Sequence, residues 1–214
     1  MSTILYANDS KHGHLEVVQD GKLRLLSGCG GIQGAYDFSS GIPVSPYIYE
    51  IGSFISNTVS RVLIVGGGAF LLPRILDCQD MKDITTIDHD ARTIEVANNF
   101  FGYTEKKHHS FMWEDGISAM RGLKKACKEY DVVVFDAFTG FSHDEGVYGK
   151  DGVSLAHDIL TKDGILITNM VDKDPMGRYL FAHYTAMSVF KTAVSSFMIK
   201  ADNGMRNIVS KYEK

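Results

Sequence analysis

The sequence contains little of what secreted, membrane-spanning or nucleic-acid-binding proteins need. Its three cysteines, Cys29, Cys78 and Cys127, form no CxxC pair and are odd in number, which is typical of free thiols in a reducing compartment. The most apolar stretch, residues 62–72, holds three glycines and falls short of the roughly 18–20 apolar residues that cross a bilayer. A net charge of −4 provides no overall positive field for a phosphate backbone, and no secretory-type basic and apolar signal opens the chain. We therefore expect a cytoplasmic protein with neither a membrane nor a nucleic acid as partner.

The composition is that of an ordinary globular protein. The pattern of apolar and turn-forming residues changes near residue 57. Hydrophobic residues make up 44% of the 214 and charged residues 22%, which is enough apolar material for a full core. Before residue 40, short runs of β-forming residues flank Asp20-Gly21, a typical hairpin turn. Apolar residues then recur at helical spacing over residues 46–59. We predict an N-terminal β-hairpin region with a connecting helix over residues 1–57 and a second unit over 58–214.

From residue 61 the sequence alternates between short apolar runs and amphipathic stretches. The runs at 62–65 and 132–135 are apolar throughout, as expected of central strands covered on both faces. This alternation implies right-handed crossovers and a parallel, doubly wound, Rossmann-like α/β sheet. Helices are predicted from residue 71 and over 91–101, 117–128, 152–160 and 178–190, with edge strands at 195–200 and 206–210.

A glycine-rich turn after the first strand of this sheet indicates a nucleotide site. Gly66, Gly67 and Gly68 stand between strand and helix, where glycine permits a sharp turn and lets a ligand lie against the backbone. The second strand ends at Asp88, whose carboxylate can accept hydrogen bonds from both hydroxyls of a ribose. The GxGxxG frame from Gly66 ends on Leu71, which disfavours NAD, and no GK[ST] follows to form a phosphate loop. An adenosyl sulfonium is the remaining common ligand.

Acidic residues also end the third and fourth strands. Glu114, Asp115 and Gly116 follow the third, where a carboxylate can accept from the amino group of adenine and the next N–H can meet a ring nitrogen. Aspartate is equally favoured as the N-cap of the helix that begins at Ile117. Asp136 closes the fourth strand and faces the crevice above the sheet. We assign it to the reacting centre, as a base or as the holder of a cation.

Other residue types near these motifs allow weaker assignments. We expect His89 to line the edge of the nucleoside, and Phe138 either to shape the acceptor pocket or to pack in the core. The eight histidines show no HxxxH or HExxH spacing, and the adjacent His108 and His109 would point apart on a strand. We therefore expect no metal.

In these motifs the chain resembles the spermidine synthase family of class I adenosyl-sulfonium transferases. The matching segments, with the family's pattern in parentheses, are residues 66–71 (GGGDGG), 88–97 (EIDPxxIExA), 114–120 (GDGxxxL) and 130–136 (YDVIxxD). The resemblance implies a class I methyltransferase sheet and a homodimer. It also implies that Gln33, in the Ile32-Gln33 pair, contacts the nucleoside, and that the next helix carries the tyrosines of the site. We expect Gln33 and either Tyr47 or Tyr49 to close the site from the front and to bind the substrate.

Two acidic positions of the family's motifs hold other residues in this chain. Ala69 stands where GGGDGG has its acid, and Thr139 stands where a second acid follows the one that ends the fourth strand. Aminopropyl transfer needs carboxylates for the ammonium groups of its donor and of a diamine, because each cation must be paired once it leaves water. The resemblance therefore implies that the nucleoside half of the site is retained, with Phe138 and Thr139 on an altered acceptor side.

Three functions remain open from the sequence. The first is a small-molecule methyltransferase that uses S-adenosylmethionine and an acceptor such as an amine. The alternative is an aminopropyltransferase that uses decarboxylated S-adenosylmethionine, with Asp144 and Glu145 in place of the missing acids. The third is a nucleoside-binding protein without catalytic activity. The acceptor itself is not identified, because loops have no shape until the chain folds.

Overall fold

An antiparallel sheet forms the first part of the molecule. The computed structural model describes residues 2–28, 31–77, 83–139, 142–172, 177–200 and 206–214, so Cys29 and Cys78 lie outside the described residues. The strands of this front sheet lie in chain order: β1 (Ser2–Ser10), β2 (Gly13–Asp20), β3 (Leu23–Gly28), β4 (Gly31–Asp37) and β5 (Ile42–Pro43). Gly21, at φ +57°, occupies the turn between β2 and β3, which confirms the hairpin predicted at Asp20-Gly21.

The front sheet is larger than the small hairpin region that we predict from the sequence. Strand β1 pairs with β2 along most of its length, from Ser2 opposite Asp20 to Ser10 opposite Gly13. Nearly all side chains of β1 are exposed, so its sequence lacks the alternation of apolar and polar residues that identifies a half-buried strand. The sequence therefore gives no period-2 signal for β1.

The remaining elements alternate between helix and strand, as predicted. In chain order they are α1 (Pro46–Phe54), β6 (Arg61–Val65), α2 (Leu71–Asp77), β7 (Asp83–Asp88), α3 (Arg92–Phe100), β8 (His109–Trp113), α4 (Gly116–Lys125), β9 (Tyr130–Phe135), β10 (Phe138–Thr139), β11 (Ser142–His143), α5 (Glu145–Tyr148), α6 (Lys150–Ile159), β12 (Leu160–Asp172), α7 (Gly177–Val189), β13 (Thr192–Lys200) and β14 (Arg206–Glu213). Most boundaries lie within three residues of the predicted ones.

The clearest boundary error is at the end of α1, which stops at Phe54 although apolar spacing predicts a helix to residue 59. Ile55 takes an extended backbone, and the hydroxyl groups of Ser56 and Thr58 lie 3.0 Å apart in a local hydrogen bond. Short polar side chains of this kind offer the backbone an alternative to the helix.

The main sheet has the order β13-β14-β12-β9-β6-β7-β8 in the described part of the chain. The five strands from β12 to β8 are parallel, which confirms the doubly wound sheet, and β14 is antiparallel, which makes the sheet mixed. From β6 the chain first adds β7 and β8 on one side and then β9 and β12 on the other. A ligand in such a sheet binds where this direction reverses, at the carboxyl ends of β6 and β9.

Both faces of the main sheet are buried. On one face, Val62 and Ile64 share a core with Leu15, Val17 and Leu26 of the front sheet. The opposite face packs mainly on residues of α4, α6 and α7. The domain boundary that we predict between residues 57 and 58 falls between α1 and β6, and it stays a prediction. No helix in the described ranges is both long and apolar enough to cross a membrane.

Candidate active site

A cavity of about 430 Å³ lies at the carboxyl ends of β6, β7 and β9, with the front sheet on its other side. Its lining includes most of the residues that the sequence predicts for the site: Gln33, Tyr47, Gly66, Gly67, Gly68, Asp88, His89, Glu114, Asp115, Gly116, Asp136 and Phe138. These side chains come from six separate segments of the chain. The structure therefore assembles the predicted site in one place.

One predicted substrate-binding residue of the described structure, Tyr49, is not among those that line the cavity. Tyr49 is 43% exposed, and its hydroxyl donates to the carbonyl oxygen of Pro43 at 2.7 Å, so the structure does not bring it to the site. Its neighbour Tyr47 enters the cavity instead, because residues two apart on a helix face different directions. Thr139 follows Phe138 on β10, and its side chain lies outside the described part of the structure.

The glycine turn after β6 is held between the ends of the two neighbouring strands, β7 and β9. The N–H of Gly66 donates to the carbonyl of Ile87 at 2.8 Å, and the N–H of Asp136 donates to the carbonyl of Val65 at 2.8 Å. Gly66 has φ +107°, and a Cβ atom there would lie 2.2 Å from the carbonyl oxygen of Asp136. Only glycine fits this position.

Asp88 braces the turn from the end of β7. Its Oδ2 accepts from the N–H of Gly67 at 2.7 Å, and its Oδ1 accepts from the N–H of Asp90 at 2.8 Å. Burial raises the pKa of Asp88, against these two hydrogen bonds, which lower it. Each carboxylate oxygen has two acceptor sites, so Asp88 keeps capacity for two hydroxyl groups of a ligand. The nearby His89 is exposed, with its Nδ1 3.9 Å from Oδ1 of Asp88.

Asp115 takes the capping role that the sequence allows. Its side chain accepts from the N–H of Ser118 at 2.9 Å at the start of α4. The carboxylate is exposed at the cavity, next to Glu114 and Gly116. A contact with adenine stays a prediction.

Asp136 is an acid of the cavity whose pKa is raised far above its ordinary value. Its Oδ1 accepts from Nδ2 of Asn169 at 2.7 Å, and the hydroxyl of Tyr47 donates to the same carboxylate. These hydrogen bonds lower the pKa, but the larger effect of burial raises it from the ordinary value to about 7. Burial and the neighbouring Asp136 also raise the pKa of Tyr47 well above its usual range, so Tyr47 stays a proton donor. A carboxyl group with a pKa near 7 can exchange a proton at neutral pH.

Two asparagines that belong to none of the sequence motifs continue this network. Asn169 is 1% exposed, and its Oδ1 accepts from Nδ2 of Asn207 at 3.0 Å. Asn169 lies near the carboxyl end of β12, after the apolar run ILIT, and that position was an available signal. Asn207 reaches the site because β14 pairs with β12, with Val171 opposite Asn207. No local pattern indicates that pairing.

Arg92, to which the sequence motifs also assign no role, fixes the front sheet beside the cavity. Its guanidinium donates to the carbonyl of Asn8 at 2.8 Å, to the carbonyl of Gly13 at 3.0 Å and to Oδ2 of Asp90 at 2.6 Å. The turn between β1 and β2 thereby carries His12 to the cavity, where its ring lies 4.8 Å from that of His89. Arg92 and Asn8 are 84 residues apart, so local spacing cannot indicate the contact.

The lining of the cavity is acidic. Arg92 contributes a positive charge that is paired with Asp90. The carboxylates of the lining are those of Asp88, Asp90, Glu114, Asp115, Asp136 and Asp144. Glu145, the other sequence candidate beside Asp144, is exposed and is not among the lining residues. Such an excess of carboxylates favours a cationic ligand.

Comparison with known proteins agrees with these features. A family model of the spermine/spermidine synthase domain matches residues 43–200. A curated polyamine aminopropyltransferase of Streptococcus pneumoniae is 23% identical over 171 residues, which cover 76% of this chain. Another from Streptococcus uberis is 28% identical over 112 residues, which cover 50% of this chain. The matches span only 57% and 38% of the length of these two relatives.

Solved structures show the same fold at low sequence identity. Spermidine synthase from Thermotoga maritima superposes with a TM-score of 0.73 and 17% identity, covering 99% of this chain and 72% of its own. Human methyltransferase-like protein 13, in complex with SAH, superposes with a TM-score of 0.61 and 21% identity, covering 71% of this chain and 70% of its own. Both superpositions show a shared α/β fold.

Proposed function

Because this chain belongs to the spermine/spermidine synthase domain family, we propose that it transfers an aminopropyl group from decarboxylated S-adenosylmethionine to an amine. The observation that carries the proposal is the partly buried Asp136, bound to Asn169 and Tyr47 in a cavity lined by carboxylates. The curated relatives are named polyamine aminopropyltransferases, which favours this reaction over the methyl transfer that the sequence alone puts first.

The residues present fit the nucleoside of such a donor. Gly66 and Gly68 have positive φ angles, and the turn lines the cavity without side chains, so a ligand can lie against its backbone. Asp88 would hold the ribose with its remaining acceptor sites, and Gln33 would lie over the nucleoside from the front sheet. When bound, the donor supplies a carbon attached to a positively charged sulfur, and the amine nitrogen takes that carbon as the carbon–sulfur bond breaks.

Asp136 would act as the general base of this transfer. An amine attacks through its lone pair, so the nitrogen has to lose a proton, and an ionised Asp136 can accept it. Asn169 and Tyr47 donate to the carboxylate and fix its direction. Because its pKa is about 7, the group is largely ionised just above neutral pH and still basic enough to take a proton.

Asp144 is the candidate partner for an ammonium group of the substrates. Its Oδ1 caps α5 by accepting from the N–H groups of Gly146 at 2.9 Å and Val147 at 3.0 Å. The residue lines the cavity. Its carboxylate can therefore take the place of the second acid of the family motif, which is Thr139 in this chain.

Methyl transfer from S-adenosylmethionine is the second candidate function, and Ala69 favours it. Ala69 lines the cavity and is 3% exposed, in the position where the family motif has an acid. A methyl side chain cannot pair an ammonium group of the donor. The homodimer that the resemblance implies stays a prediction.

The test is to compare the two nucleoside products and the two donors on the same purified chain. We expect 5′-methylthioadenosine to bind more tightly than S-adenosylhomocysteine in calorimetry. We also expect methylthioadenosine to be released when decarboxylated S-adenosylmethionine and putrescine are supplied. Tighter binding of S-adenosylhomocysteine, together with a methylated acceptor, would replace the proposal with the second candidate, and binding of neither product would contradict both.

A matched pair of variants on β7 controls this experiment. Asp88→Ala removes the carboxylate at the cavity, and we expect it to abolish product binding. Asp83→Ala removes an exposed carboxylate at the opposite end of the same strand and should bind as the unmodified chain does. Equal binding by the two variants would exclude Asp88 as the ribose ligand.

A further inference from the structure

A second cluster of side chains that can ligate a metal lies away from the cavity, between the end of α2 and the start of β8. One oxygen of Asp77 and one nitrogen each of His108 and His109 all lie within 4.8 Å of one another. Nε2 of His108 lies 3.0 Å from Oδ1 of Asp77, although the two residues are 31 positions apart. None of the three lines the cavity described above.

This arrangement corrects the expectation that the two histidines point apart. His108 stands in the turn before β8, and only His109 belongs to the strand. The alternation of side chains along a strand therefore does not apply to the pair. Their ring centroids are 4.7 Å apart with the planes nearly perpendicular, so both rings can present a nitrogen to one point.

His109 has the environment of a metal ligand. It is 8% exposed, its Nδ1 is hydrogen-bonded to the hydroxyl of Tyr103, and its buried Nε2 has no hydrogen-bond partner among the described residues. If Nδ1 carries the proton and donates to Tyr103, Nε2 is left with a free lone pair. Histidines that bind metals characteristically use one nitrogen for the ion while a second residue holds the other.

We propose that Asp77, His108 and His109 bind a divalent transition metal ion, with zinc the best match to two imidazoles and one carboxylate. Zinc holds such ligands at about 2.0–2.2 Å in a tetrahedron, which places the ligand atoms roughly 3.3 Å apart. The present spacing of up to 4.8 Å requires the ligand atoms to move together by up to about 1.5 Å. The fourth position would be open to water. Calcium and magnesium are disfavoured because they select oxygen ligands.

Lys106 competes with the ion for the carboxylate of Asp77. Its Nζ lies 3.6 Å from Oδ2 of Asp77, and its side chain is 45% exposed. The ammonium can swing into solvent when an ion enters. A bound ion would connect α2 to the first residue of β8 and stabilise the folded chain, since metal binding that requires the folded state adds to folding stability.

The experiment uses the full chain after removal of metals with a chelator, and the probe is Zn²⁺. We expect calorimetry to show one zinc per chain. The melting temperature should rise by about 5–10 °C at a free zinc concentration roughly 100 times the dissociation constant. Co²⁺ in place of zinc should give the visible absorption of a tetrahedral site. The proposal is wrong if the chain binds no stoichiometric zinc.

Variants of the partly exposed ligands locate the ion without removing the buried histidine. Asp77→Asn and His108→Gln should each weaken zinc binding by roughly 10- to 100-fold or more. His157→Gln removes a histidine on α6 and should leave binding unchanged, whereas Lys106→Ala should bind zinc as tightly as the unmodified chain or more tightly. Unchanged zinc affinity in both Asp77→Asn and His108→Gln would overturn the proposal. These measurements do not depend on the proposed transferase activity.

Discussion

At the scale of the single residue, Asp136 shows how one carboxyl group can serve chemistry at the expense of stability. Desolvation raises its pKa to about 7, while Asn169 and Tyr47 donate hydrogen bonds that hold the ionised form in place. The folded chain thus binds this proton more tightly than the unfolded chain does. The stability that results is present below about pH 4 and is lost as the pH rises through about 7.

Asp136→Asn should therefore exchange activity for stability. We expect transfer to fall by roughly 10²- to 10⁴-fold, because the amide cannot accept a proton. At pH 8 the free energy of unfolding should rise by at most about 4 kcal/mol, the equivalent of about three pKa units, and the gain should shrink toward pH 4. Urea unfolding at both pH values measures this. Asp151→Asn, at an exposed acid, is the control and should change neither quantity.

The pH dependence of the reaction should report the same group. If Asp136 accepts the proton, kcat/KM rises with pH through an inflection near 7, the pKa of this carboxyl group. Initial rates between pH 5.5 and 8.5 measure the profile. A profile that is flat across this range would exclude Asp136 as the base.

At the scale of the element, the site depends on short connections that hold the strand ends in register. The turn after β6 is bonded to β7 through Asp88 and Ile87, and it touches the backbone of Asp136 after β9. The turn between β1 and β2 is bonded to α3 through Arg92. The position of the site thus depends on contacts between segments that are distant in the chain.

Two glycine substitutions compare the turn after β6, where only glycine fits, with an unconstrained position in the helix α4. Gly66→Ala should destabilise the chain by more than about 3 kcal/mol, because the added Cβ would meet the carbonyl oxygen of Asp136 at 2.2 Å with φ at +107°. Gly122→Ala, in α4 with no atom within 4 Å of the new Cβ, should stabilise it by about 0.5–1 kcal/mol. Urea unfolding of both variants measures the two free energies of unfolding. Equal changes in the two variants would contradict the conclusion that only glycine fits at position 66.

Arg92→Ala should loosen the turn of the front sheet without unfolding the main sheet. The change removes donors to the carbonyl groups of Asn8 and Gly13 and leaves Asp90 without its partner. We expect faster hydrogen exchange in β1 and β2 and weaker binding of methylthioadenosine. Arg121→Ala removes an exposed ion pair to Asp151 and should change the free energy of unfolding by less than about 0.5 kcal/mol. Unchanged exchange in Arg92→Ala would show that the hairpin does not depend on this residue.

At the scale of the whole molecule, the two sheets share one apolar core. Leu15, Val17 and Leu26 of the front sheet pack in the same cluster as Val62 and Ile64 of the main sheet. Each sheet covers apolar residues of the other in this cluster. The cavity lies between the same two parts, so binding and folding involve both of them.

Unfolding should consequently be a single cooperative transition. Circular dichroism follows both sheets, and the fluorescence of Trp113, the one tryptophan of the chain, reports on the end of β8. We expect the two signals to change at the same denaturant concentration. A variant that lacks residues 1–43 should lose the cooperative transition, and two separate transitions in the full chain would show that the parts fold independently.

The sequence by itself determines the features that depend on residues close together in the chain. Apolar runs at 62–65 and 132–135 predict the central strands, because a strand buried on both faces must be apolar throughout. The residues that end those strands follow from the same pattern, so Gly66 and Asp136 could be assigned to the carboxyl edge and are found there.

Only the tertiary structure decided which distant residues complete each site. Asn207 joins Asp136 through Asn169 because β14 pairs with β12, Arg92 reaches Asn8 across the front sheet, and the turn before β8 carries His108 to Asp77. Tyr47 rather than Tyr49 enters the cavity because the angle at which α1 packs selects one face of the helix. Periodicity describes which side of an element is apolar, whereas these contacts depend on how elements are placed relative to one another, and that placement is set by the packing of the whole core.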